Sequence, residues 1–206
     1  MKLKVCGMRD EVNIAEVASL RPDYMGFIFY PNSKRYVGDN FIVPETLPSE
    51  IARVGVFVDE EKNVILQKAA VSQLRYVQLH GSETAEFCAD LKANGFGVIK
   101  AFGVDIRFDF NDLAPYRHVV DFFLFDARGE MAGGNGITFD WSCLQRYDQK
   151  IPFFLSGGIS PENIIDVRDL NNMNLHAIDI NSGVEIKPGM KDPVRILDLQ
   201  SKMPAF

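Results

Sequence analysis

A cysteine and an aspartate, each directly after a short apolar run, are the residues of this sequence best suited to acid–base chemistry. Cys6 follows Leu3–Val5, and Asp126 follows Phe122–Phe125. A thiolate can remove a proton from carbon, and a carboxyl group beside an apolar run can keep its proton near neutrality. Each residue also has a structural interpretation: Cys6 as a small buried hydrophobe, and Asp126 as a turn former or a partner of Arg128. From these residues alone, both interpretations stay open.

Two glycine-containing segments near the end of the chain predict a site for a small anion such as phosphate. Ser156–Ile159 leads into Ser160–Pro161, and Asn181–Gly183 follows the next apolar run. The first segment resembles a turn that opens a helix, where backbone N–H groups can face an anion. Two ordinary glycine turns are the alternative. The residues predicted to bind phosphate are Gly157, Gly158, Asn181, Ser182 and Gly183.

Three further polar residues are predicted to contact substrate. Arg35 lies beside Lys34 in a loop, where a solvated charge is the common outcome, but a guanidinium can bind a carboxylate through two hydrogen bonds. Asp179 ends an apolar run and could equally be a hydrogen-bonded structural residue. His80 also ends such a run, and a rim imidazole with a structural role is its more common interpretation.

These residues can form one site only if the chain brings them together, and the apolar runs predict how it does so. Several runs are apolar at nearly every position, which is typical of parallel strands covered on both faces. The eight runs are Leu3–Val5, Tyr24–Phe29, Val54–Val58, Tyr76–Leu79, Val98–Ala101, Phe122–Phe125, Phe153–Leu155 and Ala177–Ile180. Eight strands alternating with helices predict one (β/α)8 TIM barrel domain over residues 1–206, with an outer ring of helices. A doubly wound open sheet is the structural alternative.

Start signals for helices lie between several of these runs. Asp59 precedes Glu60–Glu61 and an apolar stretch, and Ser82 precedes Glu83 and the segment Ala85–Leu91. Further predicted starts are Asp140 before Trp141–Leu144, Ser160–Pro161, and the last segment, Pro193–Leu199. We predict weaker or no helices in Phe41–Glu50, which contains Pro44 and Pro48, and in Ile106–Arg117.

Composition narrows the partners. The 206 residues are 47% hydrophobic and 24% charged, as in ordinary globular proteins, and the net charge of -6 argues against nucleic acid as a partner. One small phosphorylated substrate remains compatible with that charge, because its site needs only local donors. The three cysteines, Cys6, Cys88 and Cys143, lack zinc-site spacing, so we predict no metal.

The sequence also predicts where the protein works. The N-terminal residues have no long apolar stretch of the kind found in a secretory signal. No stretch approaches the roughly 18 apolar residues of a membrane helix. Reduced cysteines and the absence of such segments predict a cytoplasmic protein with no membrane partner.

Motifs along the whole chain, in the right order, resemble those of the phosphoribosylanthranilate isomerases of tryptophan biosynthesis. The opening Lys4–Met8 is similar to the KICG start of that family. The other matching segments are Tyr24–Phe29, Ser33–Tyr36, Val54–Phe57, Val77–Gly81, Asp126, Gly133–Trp141, Leu155–Ile159, Asp179–Glu185 and Pro188–Asp192. Each motif alone is modest, and together they are highly specific.

The resemblance implies an Amadori rearrangement of N-(5-phosphoribosyl)anthranilate, the third step of tryptophan synthesis from chorismate. It implies Cys6 as the general base, Asp126 as the general acid and Arg35 as the partner of the anthranilate carboxylate. It places the phosphate on Gly157–Gly158 and Asn181–Gly183, and it makes Asp179 an active-site aspartate. No cofactor or metal is implied, and we expect a monomer or a homodimer.

Three other functions compete with this one. A metal-dependent phosphosugar epimerase on the same fold would need converging histidine and carboxylate ligands, but the sequence has only three histidines. A barrel that binds a phosphorylated metabolite without catalysis would not need both Cys6 and Asp126. A thiol hydrolase using Cys6 and His80 would carry a nucleophile motif that is absent here.

Overall fold

The architecture is a closed barrel of parallel strands, described by a computed structural model for residues 1–127 and 141–204. The strands are β1 (Lys2–Val5), β2 (Tyr24–Ile28), β3 (Ala52–Phe57), β4 (Tyr76–Leu79), β5 (Gly97–Val104), β6 (Phe122–Ala127), β7 (Phe153–Ser156) and β8 (Leu175–Ile180). Each strand pairs with the next, and β1 also pairs with β8, where Lys4 lies opposite Asp179. This closure confirms the (β/α)8 barrel, and the open-sheet alternative is wrong.

The barrel strands are apolar because both of their faces are covered. One set of side chains fills the barrel interior, and the alternate set packs under the outer layer of helices. The interior cluster consists of Tyr24, Ala52, Val54, Ile99, Ala101, Leu124, Phe154 and Ala177. Lys4, fully buried on β1, is an exception to this apolar pattern.

In the described residues, the outer layer contains fewer α-helices than an ideal barrel of this kind. The helices are α1 (Glu11–Ser19), α2 (Lys62–Val71), α3 (Ala85–Ala93) and α4 (Pro193–Lys202), which follow β1, β3, β4 and β8. The segments Phe110–Tyr116, Trp141–Arg146 and Ile164–Leu170 are 3-10 helices. Residues 41–50 are not helical, as their two prolines predict. A short hairpin, β9 (Glu185–Lys187) and β10 (Met190–Lys191), lies between β8 and α4.

Two predicted helix caps are wrong. Asp59 has a φ of 48°, and the helix begins later, with Glu61 at its N-cap. The Asp59 carboxylate instead accepts a hydrogen bond from the backbone N–H of Ser82 at 2.6 Å. Ser82 is therefore part of the link between two βα loops, and Thr84 caps α3 by accepting from Phe87 N at 3.2 Å.

The predicted helix start at Ser160–Pro161 is also wrong. Pro161 lies in a turn, and the 3-10 helix Ile164–Leu170 begins after it. The turn is closed by Asn163, whose side-chain oxygen accepts from Ser160 N at 2.9 Å. A side chain that satisfies the loop backbone in this way competes with an earlier helix start.

Some sequence predictions fall outside the described residues. These are the cap at Asp140, the pairing with Arg128, and most of the motif Gly133–Trp141. Within residues 1–127 and 141–204, no helix combines the length and the apolar character required to cross a membrane.

Candidate active site

A cavity of about 180 Å³ opens at the ends of the barrel strands. Its lining consists of Cys6, Ile28, Val56, Gln78, His80, Asp126, Ser156, Gly157, Gly158, Ile159, Asp179, Asn181, Ser182 and Gly183. The carboxyl ends of strands carry the active sites of this fold. The cavity brings together every site residue predicted from the sequence except Arg35.

Cys6 lies directly after β1 and is buried. Its backbone N–H donates to Ile180 O at 2.9 Å, which continues the pairing of β1 with β8 by one more residue. Gly26 on the neighbouring strand leaves room for the thiol, because a Cβ there would lie 2.7 Å from Cys6 Sγ. The position of the sulfur therefore depends on the missing side chain at Gly26.

The surroundings of Cys6 contain both positive and negative groups. Burial raises the pKa of the Cys6 thiol, the Lys4 and Lys191 ammonium groups oppose that rise, and Asp179 adds to it. Lys4 Nζ lies 2.8 Å from Asp179 Oδ2, with both side chains buried. Lys191 Nζ lies 2.7 Å from Glu185 Oε1. Two buried ammonium groups thus favour the thiolate, although burial has the larger effect.

Asp126 lies on the opposite side of the cavity, near the end of β6. Its strand register pairs it with Gly103 on one side and Ser156 on the other. Its side chain keeps 30% of its surface exposed, and Oδ2 lies 3.6 Å from His80 Nε2. The carboxyl group therefore faces the cavity with an imidazole beside it.

The loops after β7 and β8 form a cradle of backbone groups. Gly157 and Gly158 have φ angles of 107° and 64°, values that favour glycine. The two loops touch, since a Cβ on Gly183 would lie 2.0 Å from Ile159 O. Such a concave pair of small-residue loops suits an anion, although no α-helix begins directly behind it.

Asp179 and Asn181 form the floor of the cavity beside Cys6. Asp179 Oδ2 binds Lys4, while Oδ1 is buried and has no hydrogen-bond partner among the described residues. Burial raises the pKa of Asp179, and Lys4 opposes that rise. Asn181 Oδ1 accepts from Lys191 Nζ at 2.6 Å. Asp179 therefore lines the cavity with a buried carboxylate, one oxygen of which is held by Lys4.

Arg35 lies at the edge of this site and does not line the cavity. Its Nε and one terminal nitrogen donate to the two oxygens of Glu185 at 2.8 and 2.6 Å. A Cβ on Gly7, the residue after Cys6, would lie 2.8 Å from Arg35 Cδ. The guanidinium is thus held next to the end of β1 by a carboxylate, with its other terminal nitrogen outside that pair.

Four polar residues that contribute to the site were not singled out in the sequence: Lys4, Gln78, Glu185 and Lys191. Lys4 and Gln78 lie two residues before Cys6 and His80, on the same faces of their strands. A lysine inside an otherwise apolar run is the signal that could have identified the first of them. Nothing comparable marks Glu185 and Lys191, because their proximity depends on the hairpin fold. Within the described part of the chain, no group of three or more potential metal ligands is present.

The closed parallel barrel, with a thiol and a carboxyl group facing one cavity beside a glycine-lined cradle, defines a (β/α)8-barrel enzyme. Comparison with known proteins is more specific. The sequence model of the N-(5'-phosphoribosyl)anthranilate (PRA) isomerase family matches residues 3–201. The chain belongs to this family.

Relatives and solved structures agree with this assignment. The chain is 45% identical to N-(5'-phosphoribosyl)anthranilate isomerase of Parabacteroides distasonis over 93% of its own length and 88% of the relative's. The phosphoribosyl anthranilate isomerase structure from Thermotoga maritima superposes with a TM-score of 0.85 at 37% identity, covering 98% of both chains. A second isomerase structure, in complex with reduced 1-(o-carboxyphenylamino)-1-deoxyribulose 5-phosphate, has a TM-score of 0.81 at 35% identity and covers 98% of this chain and 97% of the other.

Proposed function

We propose that this chain converts N-(5-phosphoribosyl)anthranilate to 1-(o-carboxyphenylamino)-1-deoxyribulose 5-phosphate. The observation that carries the proposal is the presence of Cys6 and Asp126 in one cavity, together with the glycine loops after β7 and β8. This set matches the chemistry of an Amadori rearrangement, which needs an acid for ring opening, a base for proton removal and a site for the phosphate.

Ring opening is the first step, and Asp126 supplies its proton. The protonated carboxyl group donates to the ring oxygen of the furanose as the bond between that oxygen and C1 breaks. The nitrogen lone pair of the anthranilate forms the iminium, and the ring oxygen becomes a hydroxyl group. General acid catalysis of such a step typically contributes about 10² to 10⁴-fold.

Proton removal from C2 is the second step, and the Cys6 thiolate performs it. The iminium accepts the electron pair of the broken C–H bond, which gives an enolamine. Tautomerisation of the enolamine, by proton return to C1 and loss of the O2 proton, gives the ketone. Since burial raises the pKa of Cys6, the reaction rate should rise with pH as the thiol ionises.

Binding groups surround these two residues. The phosphate would lie on Gly157, Gly158 and the loop Asn181–Gly183, whose contact builds the cradle. Asp179, which lines the cavity next to these loops, would contact the sugar. Arg35 would meet the anthranilate carboxylate through the terminal nitrogen that Glu185 does not use.

The cellular setting is part of the same proposal. Cys6 and Cys88 are buried thiols outside any disulfide, which suits a reducing cytoplasm. The partner we infer is one phosphorylated small molecule, because the cavity is small and the net charge is -6.

A fluorescence assay tests the function directly, because anthranilate derivatives fluoresce. Added protein should remove the signal of phosphoribosylanthranilate at a rate proportional to its concentration, and the gene should restore growth of a tryptophan auxotroph that lacks this isomerase step. A folded protein that leaves the signal unchanged, and an auxotroph that stays unable to grow, would contradict the proposal.

A further inference from the structure

A row of polar side chains crosses the barrel along the cavity, from β8 to β6, with hydrogen bonds as far as His80 and a 3.6 Å approach from His80 to Asp126. Asp179 Oδ2 accepts from Lys4 Nζ at 2.8 Å, and Lys4 Nζ also donates to Gln78 Oε1 at 2.7 Å. Gln78 Nε2 lies 3.0 Å from His80 Nδ1, and His80 Nε2 lies 3.6 Å from Asp126 Oδ2. This row of side chains leads from Asp179, beside Cys6, to Asp126, the proposed general acid.

Lys4 fixes the direction of the two hydrogen bonds that Gln78 makes. An ammonium group has donors only, so the oxygen of Gln78 must face it and the amide NH2 must face His80. Burial acts to lower the pKa of Lys4, but Asp179 and Cys6 outweigh it and the pKa is raised, so the ammonium keeps its charge. The NH2 group of Gln78 can only donate, and His80 Nδ1 must therefore accept.

We propose that Lys4, acting through Gln78, holds His80 as a neutral imidazole whose proton is on Nε2 and faces Asp126. A proton on Nδ1 would point at the NH2 group of Gln78 and would break that hydrogen bond. The imidazolium form, which carries both protons, would lose the hydrogen bond from Gln78 for the same reason. Lys4 and Gln78 are thus positioning residues.

This arrangement matters for the reaction, and that consequence rests on the proposed function. A neutral imidazole directs its Nε2–H toward Oδ2 of Asp126, 3.6 Å away, and leaves the other carboxyl oxygen, with its proton, to face the ring oxygen. An imidazolium at the same place would favour the ionised carboxylate far more strongly, because it would add a full positive charge. Keeping His80 neutral therefore helps Asp126 to remain an acid.

No other charged group among the described residues near His80 takes over the role of Gln78 at His80 Nδ1. Asp126 on β6 faces Nε2, Asp179 on β8 is already paired with Lys4, and Lys100 on β5 is paired with Glu83 at 3.1 Å. Among the described residues, Gln78 is the one that lies within hydrogen-bond distance of His80 Nδ1.

Nitrogen-15 NMR of the full-length protein reads the tautomer directly, because the chemical shifts of the two ring nitrogens differ between protonated and acceptor forms. The sequence has only three histidines, His80, His118 and His176, and the His80 signals are those lost in His80→Gln. At pH 8 we expect His80 Nδ1 to be an acceptor and Nε2 to carry the proton. A wild-type spectrum with the proton on Nδ1 would overturn the proposal without any variant.

Gln78→Glu provides the second arm of the test. The introduced carboxylate can only accept a hydrogen bond, so it should favour a proton on His80 Nδ1. A proton on Nδ1 is the less favoured tautomer of a free histidine side chain, so its appearance would be an effect of residue 78. Turnover should also fall by about tenfold or more, because Asp126 would then face a doubly protonated imidazole. Gln67→Glu, the same change on an exposed face of α2, is the matched control and should leave His80 unchanged.

Lys4→Met provides the third arm, because it removes the group that orients Gln78. The amide is then free to turn, and His80 should show a mixture of tautomers.

If His80 keeps its proton wholly on Nε2 in folded Gln78→Glu, the proposal is wrong. Because the NMR signals need no substrate, this result is independent of whether the protein turns over phosphoribosylanthranilate.

Discussion

The space that Gly26 leaves for the Cys6 thiol allows a test of how accurately the sulfur must be placed. In Gly26→Ala, the new Cβ would lie 2.7 Å from Cys6 Sγ and 3.1 Å from Cys6 Cα. Non-bonded heavy atoms at ordinary contact lie roughly 3.5–4.0 Å apart. The thiol must therefore retreat by about 1 Å, away from the position it occupies beside the cavity.

The size of the effect follows from that displacement. A misplacement of about 1 Å in an active site can cost on the order of 10²-fold in rate, which corresponds to about 2.7 kcal/mol of transition-state stabilisation. Overpacking should also lower the free energy of unfolding by about 1–3 kcal/mol. KM should change little, because the phosphate loops after β7 and β8 are not touched.

The assay is steady-state turnover of phosphoribosylanthranilate, with urea unfolding to measure the folded fraction. Gly55→Ala, one strand further along, is the matched control: its Cβ would meet Leu74 Cδ1 at 2.3 Å, outside the cavity. It should lose stability and keep nearly wild-type kcat for each folded molecule. A folded Gly26→Ala variant that keeps more than about a third of wild-type kcat, well above the expected 10²-fold loss, would refute the reasoning.

Three further predictions concern stability and binding. The His176 Nε2 atom lies at hydrogen-bond distance, 2.7 Å, from Tyr24 Oη, and burial lowers the pKa of His176. Because the unfolded chain then binds a proton more readily than the folded one, the free energy of unfolding should be at its full value above about pH 6.5 and should decline as the pH falls below it. Urea midpoints should show a smaller decline in His176→Gln, and an unchanged decline would contradict the assignment. Gly183→Ala would place a Cβ 2.0 Å from Ile159 O, which should force the two loops apart and raise KM by about tenfold or more. If inorganic phosphate inhibited this variant as strongly as it inhibits the wild type, these loops would not form a phosphate site. Arg35→Ala should mainly raise KM in steady-state kinetics, and an unchanged KM would remove Arg35 from the binding site.

The strands could be predicted from the sequence because a doubly covered strand leaves a strong local signal. Runs such as Phe122–Phe125 and Phe153–Leu155 are apolar on both faces, and the structure buries both faces. Helix starts were less predictable. Asp59 and Ser82 have the side chains of good caps, but they bond each other across two loops, and such long-range pairing has no local signature.

In the candidate active site, too, features with a local sequence signal could be predicted and long-range contacts could not. Cys6 and Asp126 could be placed at one end of the barrel because each lies at or directly after the end of a strand, and parallel strands all end on the same side. The partners that set their electrostatics could not be predicted. Glu185 binds Arg35 across 150 positions of sequence and Lys191 across a hairpin, so these contacts exist only after the chain has closed.

Turnover by two single variants tests the central claim most directly. With Cys6→Ser and Asp126→Asn, kcat for phosphoribosylanthranilate should fall by about 10² to 10⁴-fold in each case, while KM stays close to wild type. Cys88→Ser, at a buried thiol in α3 outside the cavity, should keep its turnover. If either folded variant at Cys6 or Asp126 kept more than about a tenth of wild-type kcat, a loss too small for an essential acid or base, these two residues would not carry the reaction.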